Sequence, residues 1–138
     1  MTGTEIEPTG ATSNRTTLRV LVVEDESLVA MMLGDMLADL GCSVIGPARN
    51  RSKALHLIAG GDAIDLVLLD VNLGGENAYE VADALEERKI PYLFVSGYGS
   101  GGIDPRYAKA PVLTKPLQIA ALTRVIEAAR SRPRLGDG

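Results

Sequence analysis

Short apolar runs alternate with longer amphipathic stretches through most of the chain. The runs Leu21–Val23 and Leu66–Leu69 are continuously apolar and do not alternate with polar residues. Strands of parallel sheets, which are covered on both faces, show this pattern. The runs predict five strands: Leu18–Val23, Cys42–Ile45, Leu66–Leu69, Tyr92–Val95 and Val112–Leu113.

The segments between these strands have helical spacing. In the first, apolar residues recur about every 3.6 positions, Ser27 is a candidate N-cap, and Gly41 marks the end. A weaker segment lies at Ile103–Ala108. Strands that alternate with helices predict an α/β fold with a doubly wound five-stranded parallel sheet flanked by helices. The predicted helices are Leu28–Leu40, Ser52–Ala59, Ala78–Arg88 and Leu117–Arg130.

Length and composition fit one folded domain with polar ends. The 138 residues are 46% hydrophobic, and a domain has roughly 150 residues. Residues 18–130 are predicted to fold, with a flexible N-terminal tail at 1–17 and a C-terminal tail at 131–138.

The net charge of −4 argues against a generally basic nucleic-acid binder. No apolar run reaches the roughly 18 residues of a membrane span. The single Cys42 and the lack of a visible secretory signal predict a cytoplasmic protein.

Polar residues that carry chemistry follow four of the five predicted strands. Because ligands bind outside the carboxyl ends of parallel strands, we expect these side chains to converge at one edge of the sheet. They are Glu24 and Asp25 after the first strand, Asp70 after the third, Ser96 after the fourth and Lys115 after the fifth.

Carboxylates gathered in one cleft repel each other and need a proton or a cation to neutralise them. A hard divalent cation such as Mg²⁺ suits oxygen ligands from Glu24, Asp25 and Asp70. Lys115 adds a second positive charge, and Ser96 adds a neutral donor. Such a cradle suits phosphoryl transfer, and a carboxylate can itself be the nucleophile that forms an aspartyl phosphate.

This pattern resembles the receiver domain of two-component response regulators, and the resemblance covers about residues 18–130. It implies the flavodoxin-like strand order 2-1-3-4-5. It also implies that Asp70 is the phosphoacceptor, that Lys115 pairs with a phosphoryl oxygen, and that Ser96 is the switch hydroxyl. The Lys115–Pro116 bond is then expected to be cis. The implied Mg²⁺ ligands are Glu24, Asp25, Asp70 and the backbone carbonyl of Asn72.

The chain departs from the common receiver in its switch residues. Val112 stands where most receivers have an aromatic residue, whereas Phe94 and Tyr98 flank the hydroxyl. This arrangement resembles the FATGUY subgroup, which implies a partner kinase of the HWE or a related class. Our hypothesis is that phosphorylation draws Ser96 inward and reorders Gly97–Gly102, so that Phe94 and Tyr98 act as switch residues.

Three other features of the sequence lie outside the predicted phosphorylation chemistry. Gly97–Gly102 satisfies GxGxxG but follows the wrong strand for a dinucleotide site, so it is predicted to be a loop. His56 is predicted to be a surface residue. Tyr107 and Lys109, together with Tyr98, are candidates for a partner surface.

The predicted function is a single-domain response regulator that receives phosphate from a sensor histidine kinase or a phosphotransfer protein. It would signal through protein contacts or act as a phosphate sink, as a monomer or weak homodimer, and catalyse only its own phosphorylation and dephosphorylation. One alternative is a degenerate receiver that acts without phosphorylation. Another is a small Mg²⁺-dependent phosphatase, although Asn72 replaces the second Asp that such enzymes carry and Asp70 follows the third strand.

Overall fold

Five parallel strands form one sheet in the computed structural model, which describes residues 17–97 and 99–131. The strand order is β2-β1-β3-β4-β5, which confirms the order 2-1-3-4-5. The predicted tails, apart from Thr17 and Ser131, and also Tyr98, lie outside the described residues. The elements are β1 Arg19–Val23, α1 Ser27–Asp39, β2 Ser43–Ala48, α2 Arg51–Ala59, β3 Leu66–Asp70, α3 Tyr79–Glu87, β4 Tyr92–Ser96, β5 Val112–Thr114 and α4 Ile119–Ser131.

The central strands β1 and β3 separate two hydrophobic cores. One core joins alternate residues such as Leu21 and Leu69 to helices α2 and α3. The other joins residues such as Val22 and Leu68 to helices α1 and α4. Both faces of these strands are covered, which explains why their sequences are apolar at successive positions. Among the described residues, no helix combines the length and apolarity needed to cross a membrane.

The ends of α1 match the sequence prediction only in part. The helix begins at Ser27 with Glu26 as its N-cap, so the prediction that Ser27 caps the helix is wrong. The Ser27 hydroxyl instead accepts a hydrogen bond of 2.7 Å from Nη2 of Arg49. Gly41 follows the helix with φ +82°, a left-handed conformation that glycine adopts without strain.

The connection between β4 and β5 contains no α-helix among the residues described there. Its described residues include two 3₁₀ turns, Gly99–Gly102 and Pro105–Tyr107. The second lies within the segment of weak helical signal, Ile103–Ala108, whereas the first lies within the stretch predicted to be a loop. Tyr107 is buried in the core, so its prediction as a partner-surface residue is wrong. Lys109 and His56 are exposed.

Candidate functional site

The carboxyl ends of β1 and β3 bring the acidic residues together. The two strands pair in parallel with Val23 opposite Leu69, so the residues that follow Val23 meet Asp70 at the same edge. Carboxylate oxygens of Glu24, Asp25 and Asp70 all lie within 4.8 Å of one another. The predicted convergence of the three carboxylates is therefore present, and Asp25 and Asp70 line a cleft of about 460 Å³.

Asp70 lines this cleft and is almost completely buried. Its Oδ2 accepts a hydrogen bond of 2.9 Å from Nζ of Lys115. Its Oδ1 accepts a hydrogen bond of 3.0 Å from the backbone N–H of Asn72. Charge-assisted and backbone hydrogen bonds of this kind hold the carboxylate in one orientation.

Lys115 neutralises part of the acidic cluster. Its Nζ lies 3.3 Å from Oε1 of Glu24 and 3.6 Å from Oε1 of Glu26, in addition to its bond to Asp70. Burial alone would lower the pKa of Lys115, but the hydrogen bond and the charges of Asp70 and Glu24 raise it above its usual value. Glu26 was not predicted to belong to the site, although it directly follows Glu24 and Asp25 in the sequence.

Glu24 is the most buried of the acidic residues, with 1% of its surface exposed. Its Oε2 accepts a hydrogen bond of 3.1 Å from the backbone N–H of Glu26. Its Oε1 has Lys115 nearby but lacks a hydrogen-bond partner of good geometry among the described residues. Burial first, and then the neighbouring Asp70 carboxylate, raise the pKa of Glu24 from 4.5 to about 7.

The geometry of the three carboxylates fits a bound cation. A buried carboxylate oxygen without a hydrogen bond is costly, and the Glu24 Oε1 atom is in this position. Mg²⁺ prefers oxygen ligands and keeps several waters, so it needs a site open on one side. The cleft provides this opening, since Asp25 is only half-buried.

A small antiparallel hairpin, Asn72–Leu73 paired with Glu76–Asn77, borders the cleft. Oδ1 of Asn72 accepts a hydrogen bond of 3.0 Å from the N–H of Gly75. Gly74 has φ +62°, and a Cβ atom there would lie 3.5 Å from Oδ2 of Asp25. The turn thus carries Asn72 beside Asp70, while the role of the Asn72 carbonyl as a metal ligand stays a prediction.

Ser96 and Lys115 reach the same edge through β4 and β5. These strands pair with Ser96 opposite Thr114, and the backbone N–H of Lys115 donates a 2.9 Å hydrogen bond to the carbonyl oxygen of Ser96. Ser96 is buried and lines the cleft with Asp70. The Lys115–Pro116 bond is cis, as the resemblance implied.

Of the two aromatic residues predicted to act as switches, the structure describes only Phe94. Phe94 is fully buried two residues before Ser96. The rings of Tyr79, Tyr92 and Tyr107 surround it edge-on, with centroids 5.5 to 6.1 Å away. Its position in the core agrees with a structural role and leaves its role as a switch a prediction. Tyr98 lies outside the described residues.

The raised pKa of Glu24 makes the stability of the metal-free protein depend on pH. Protonated Glu24 favours the folded state, so its contribution is complete below about pH 4.5 and is lost as the pH rises through about 7. Relative to Glu24→Gln, we expect the free energy of unfolding of the wild type to fall by up to about 3 kcal/mol across this window. Urea unfolding with a chelator at several pH values measures this difference.

The exposed Glu87 on α3 offers the control for this experiment. Glu87→Gln removes the same charge far from the cluster, so its stability should follow the wild type at each pH. Parallel curves for the wild type and Glu24→Gln through pH 7 would contradict the prediction.

The chain is similar to known proteins in sequence and in fold. The family model described as response regulator receiver domain matches residues 20–127. The phyllosphere-induced regulator PhyR of Methylorubrum extorquens is 33% identical over 113 residues, which are 80% of this chain and 42% of PhyR. The chain therefore spans less than half the length of this relative.

Two solved structures are also similar. The solution structure of SdrG from Sphingomonas melonis has a TM-score of 0.73 and 38% identity, covering 85% of this chain and 98% of that chain. The BeF3-activated solution structure of SdrG, from Pseudomonas melonis, has a TM-score of 0.69 and 40% identity, covering 80% and 93%.

Proposed function

Because the chain belongs to the response regulator receiver family, we propose that it accepts a phosphoryl group on Asp70 in a two-component phosphorelay, with Mg²⁺ as cofactor. The observation that carries this proposal is the environment of Asp70. Asp70 lines an open cleft, and its carboxylate is bonded to Lys115 and lies within 4.8 Å of two further carboxylates.

The proposed reaction needs little from the protein beyond orientation and charge neutralisation. A carboxylate oxygen of Asp70 attacks phosphorus and forms an O–P bond, while the P–N bond to a phosphohistidine breaks and the imidazole leaves with the electron pair. Lys115 contacts Asp70 already and neutralises negative charge there. Glu24, Asp25 and Asp70 would hold Mg²⁺, which supplies further positive charge for the phosphoryl oxygens when bound.

Intact mass tests this function directly. The protein is incubated with a small phosphodonor, with and without Mg²⁺. We expect a phosphate-sized gain in mass that depends on Mg²⁺. If the mass does not change and a beryllium fluoride mimic also leaves the spectrum of the site unperturbed, the proposal fails, and a receiver that acts without phosphorylation replaces it.

The phosphodonor in the cell is proposed to be a sensor histidine kinase, of the HWE class if the chain is of the FATGUY type, or a phosphotransfer protein. An apolar surface beside the site supports a protein donor. Leu28, Met31 and Met32 are 79%, 58% and 43% exposed. Their spacing places them on one face of α1, and α1 begins directly after the acidic residues of the cleft.

This surface leads to a prediction about Met31. Met31→Asp places a charge where a partner would bury apolar area, so we expect transfer from the cognate protein donor to slow by about tenfold or more. Phosphorylation by a small donor should not change, because Met31 does not line the cleft. Phosphate transfer followed on gels, with both donors, gives the two rates.

Ala38→Asp serves as the matched control, since Ala38 is exposed at the other end of the same helix. The prediction is contradicted if Ala38→Asp slows transfer as much as Met31→Asp, or if Met31→Asp slows both donors equally.

We further propose that the protein works in the cytoplasm as a monomer or weak homodimer, and that its output is protein contact or removal of phosphate from a kinase. It is proposed to catalyse no reaction other than its own phosphorylation and dephosphorylation. A phosphate-flow assay with a kinase and a second regulator separates the two outputs. Unchanged flow to the second regulator when this protein is added would exclude the phosphate sink.

A further inference from the structure

Tyr79, the first residue of α3, makes hydrogen bonds to the connection between β4 and β5. The hydroxyl oxygen of Tyr79 accepts a 2.7 Å hydrogen bond from the backbone N–H of Asp104. The same hydroxyl donates to the carbonyl oxygen of Gly102 at 3.5 Å. One side chain therefore bridges the end of the first 3₁₀ turn and the residue that precedes the second.

The ring of Tyr79 is itself fixed in place. It stacks on the ring of Tyr107, with centroids 4.6 Å apart and an angle of 4° between the planes. Tyr107 donates a 2.5 Å hydrogen bond to Oδ1 of Asp83 on α3 and accepts one from Arg106. Because both rings also contact the buried Phe94, the Tyr79 hydroxyl has little freedom to move away from the loop.

Tyr79 connects this loop to the strand that carries the acceptor. The N–H of Ala78, the residue before it, donates a 3.1 Å hydrogen bond to the carbonyl oxygen of Val71, which follows Asp70. On the other side, Gly102 lines the cleft together with Asp70 and Ser96. The hydroxyl thus holds one wall of the cleft in a fixed position relative to Asp70.

We propose that Tyr79 is a positioning residue that holds residues 102–104 against the acceptor cleft and so limits the access of water to a phosphoryl group on Asp70. The effect on phosphate lifetime rests on the proposed function, whereas the effect on the loop does not. Exclusion of water protects reactive intermediates from hydrolysis in this way.

The test compares Tyr79→Phe with Tyr92→Phe. Each variant loses one tyrosine hydroxyl from the same aromatic cluster and keeps its ring, so the core stays packed. The hydroxyl of Tyr92 donates a 2.5 Å hydrogen bond to Glu86 and, among the described residues, makes no hydrogen bond to residues 102–104. In Tyr79→Phe we expect hydrogen exchange at the Asp104 amide to be about fivefold faster, as for the loss of one ordinary hydrogen bond. We also expect the aspartyl phosphate to hydrolyse about threefold faster.

Two readouts decide the proposal. NMR measures amide exchange in the unphosphorylated protein, and phosphate release measures hydrolysis. Faster exchange and faster hydrolysis in Tyr79→Phe alone support the proposal. Unchanged exchange or hydrolysis in Tyr79→Phe, or equal changes in Tyr92→Phe, overturn it. If the wild type takes up no phosphoryl group, the proposed function fails, and the exchange rates alone decide whether Tyr79 holds the loop.

Discussion

Asp70→Asn is expected to abolish the Mg²⁺-dependent gain of phosphate. The carboxamide of Asn is not a nucleophile at neutral pH, so no acyl phosphate forms. The substitution preserves the size of the side chain and keeps one oxygen, which can accept either from Lys115 or from the N–H of Asn72. Loss of phosphorylation in a folded variant therefore assigns the chemistry to this carboxylate. Intact mass after incubation with a small donor measures the effect, and circular dichroism verifies the fold.

Asp62→Asn is the matched control. It changes the charge by the same amount, and Asp62 is exposed on the side of β3 opposite to Asp70, before the strand begins. It should take up phosphate as the wild type does. A remaining Mg²⁺-dependent gain of phosphate in Asp70→Asn would move the acceptor to another residue. In that case, mapping the phosphorylated peptide would identify it.

Much of the fold follows from the sequence because the central strands carry a clear signal. β1 and β3 are each apolar at four successive positions, a pattern typical of strands covered on both faces. The extent of the edge strand β2 and the start of α4 were less predictable from the sequence. β2 continues through Gly46 and Pro47 to Ala48. A strand at the edge of a sheet tolerates proline, but the sequence of β2 does not show that it is an edge strand. The last helix was predicted to begin at Leu117, whereas α4 begins at Ile119. Leu117 is buried although it precedes the helix, so its apolar character does not indicate a helical position.

The candidate site was predictable to the extent that strand ends define it. Parallel strands place the residues that follow them at one edge, so Glu24, Asp25, Asp70, Ser96 and Lys115 meet for a topological reason. Contacts made by long side chains across loops have no such rule. The ion pair of Lys115 with Glu26 and the bonds from Tyr79 to the loop depend on side-chain directions that periodicity does not specify.

Tyr107 shows how local sequence misleads in an irregular segment. It stands near Arg106 and Lys109, a polar context that indicates a surface position. In the structure, its ring stacks on Tyr79 and its hydroxyl reaches Asp83, so the aromatic part is buried while the polar atom is satisfied. Tyrosine combines an apolar body with a polar tip, which makes its burial dependent on partners distant in sequence.

The second large effect is expected at Lys115, whose ammonium group contacts three carboxylates. Lys115→Met keeps much of the apolar stem but leaves Glu24 and Asp70 buried without their positive partner. Removing one member of a buried ion pair costs about 3 kcal/mol or more, because the remaining charge stays desolvated. We therefore expect the metal-free variant to lose about 3 kcal/mol of unfolding free energy at neutral pH. Urea denaturation in the presence of a chelator measures this loss.

Mg²⁺ separates this electrostatic explanation from a simple packing defect. Without Lys115 the carboxylates carry more uncompensated charge, so Mg²⁺ should stabilise Lys115→Met by a larger amount than it stabilises the wild type. Lys109→Met, at an exposed position, controls for the change in net charge and should resemble the wild type with and without Mg²⁺. If Mg²⁺ stabilises all three proteins equally, the cost of losing Lys115 does not arise from uncompensated charge in the acidic cluster. If Mg²⁺ stabilises none of them, the cluster does not form the cation site that the geometry indicates.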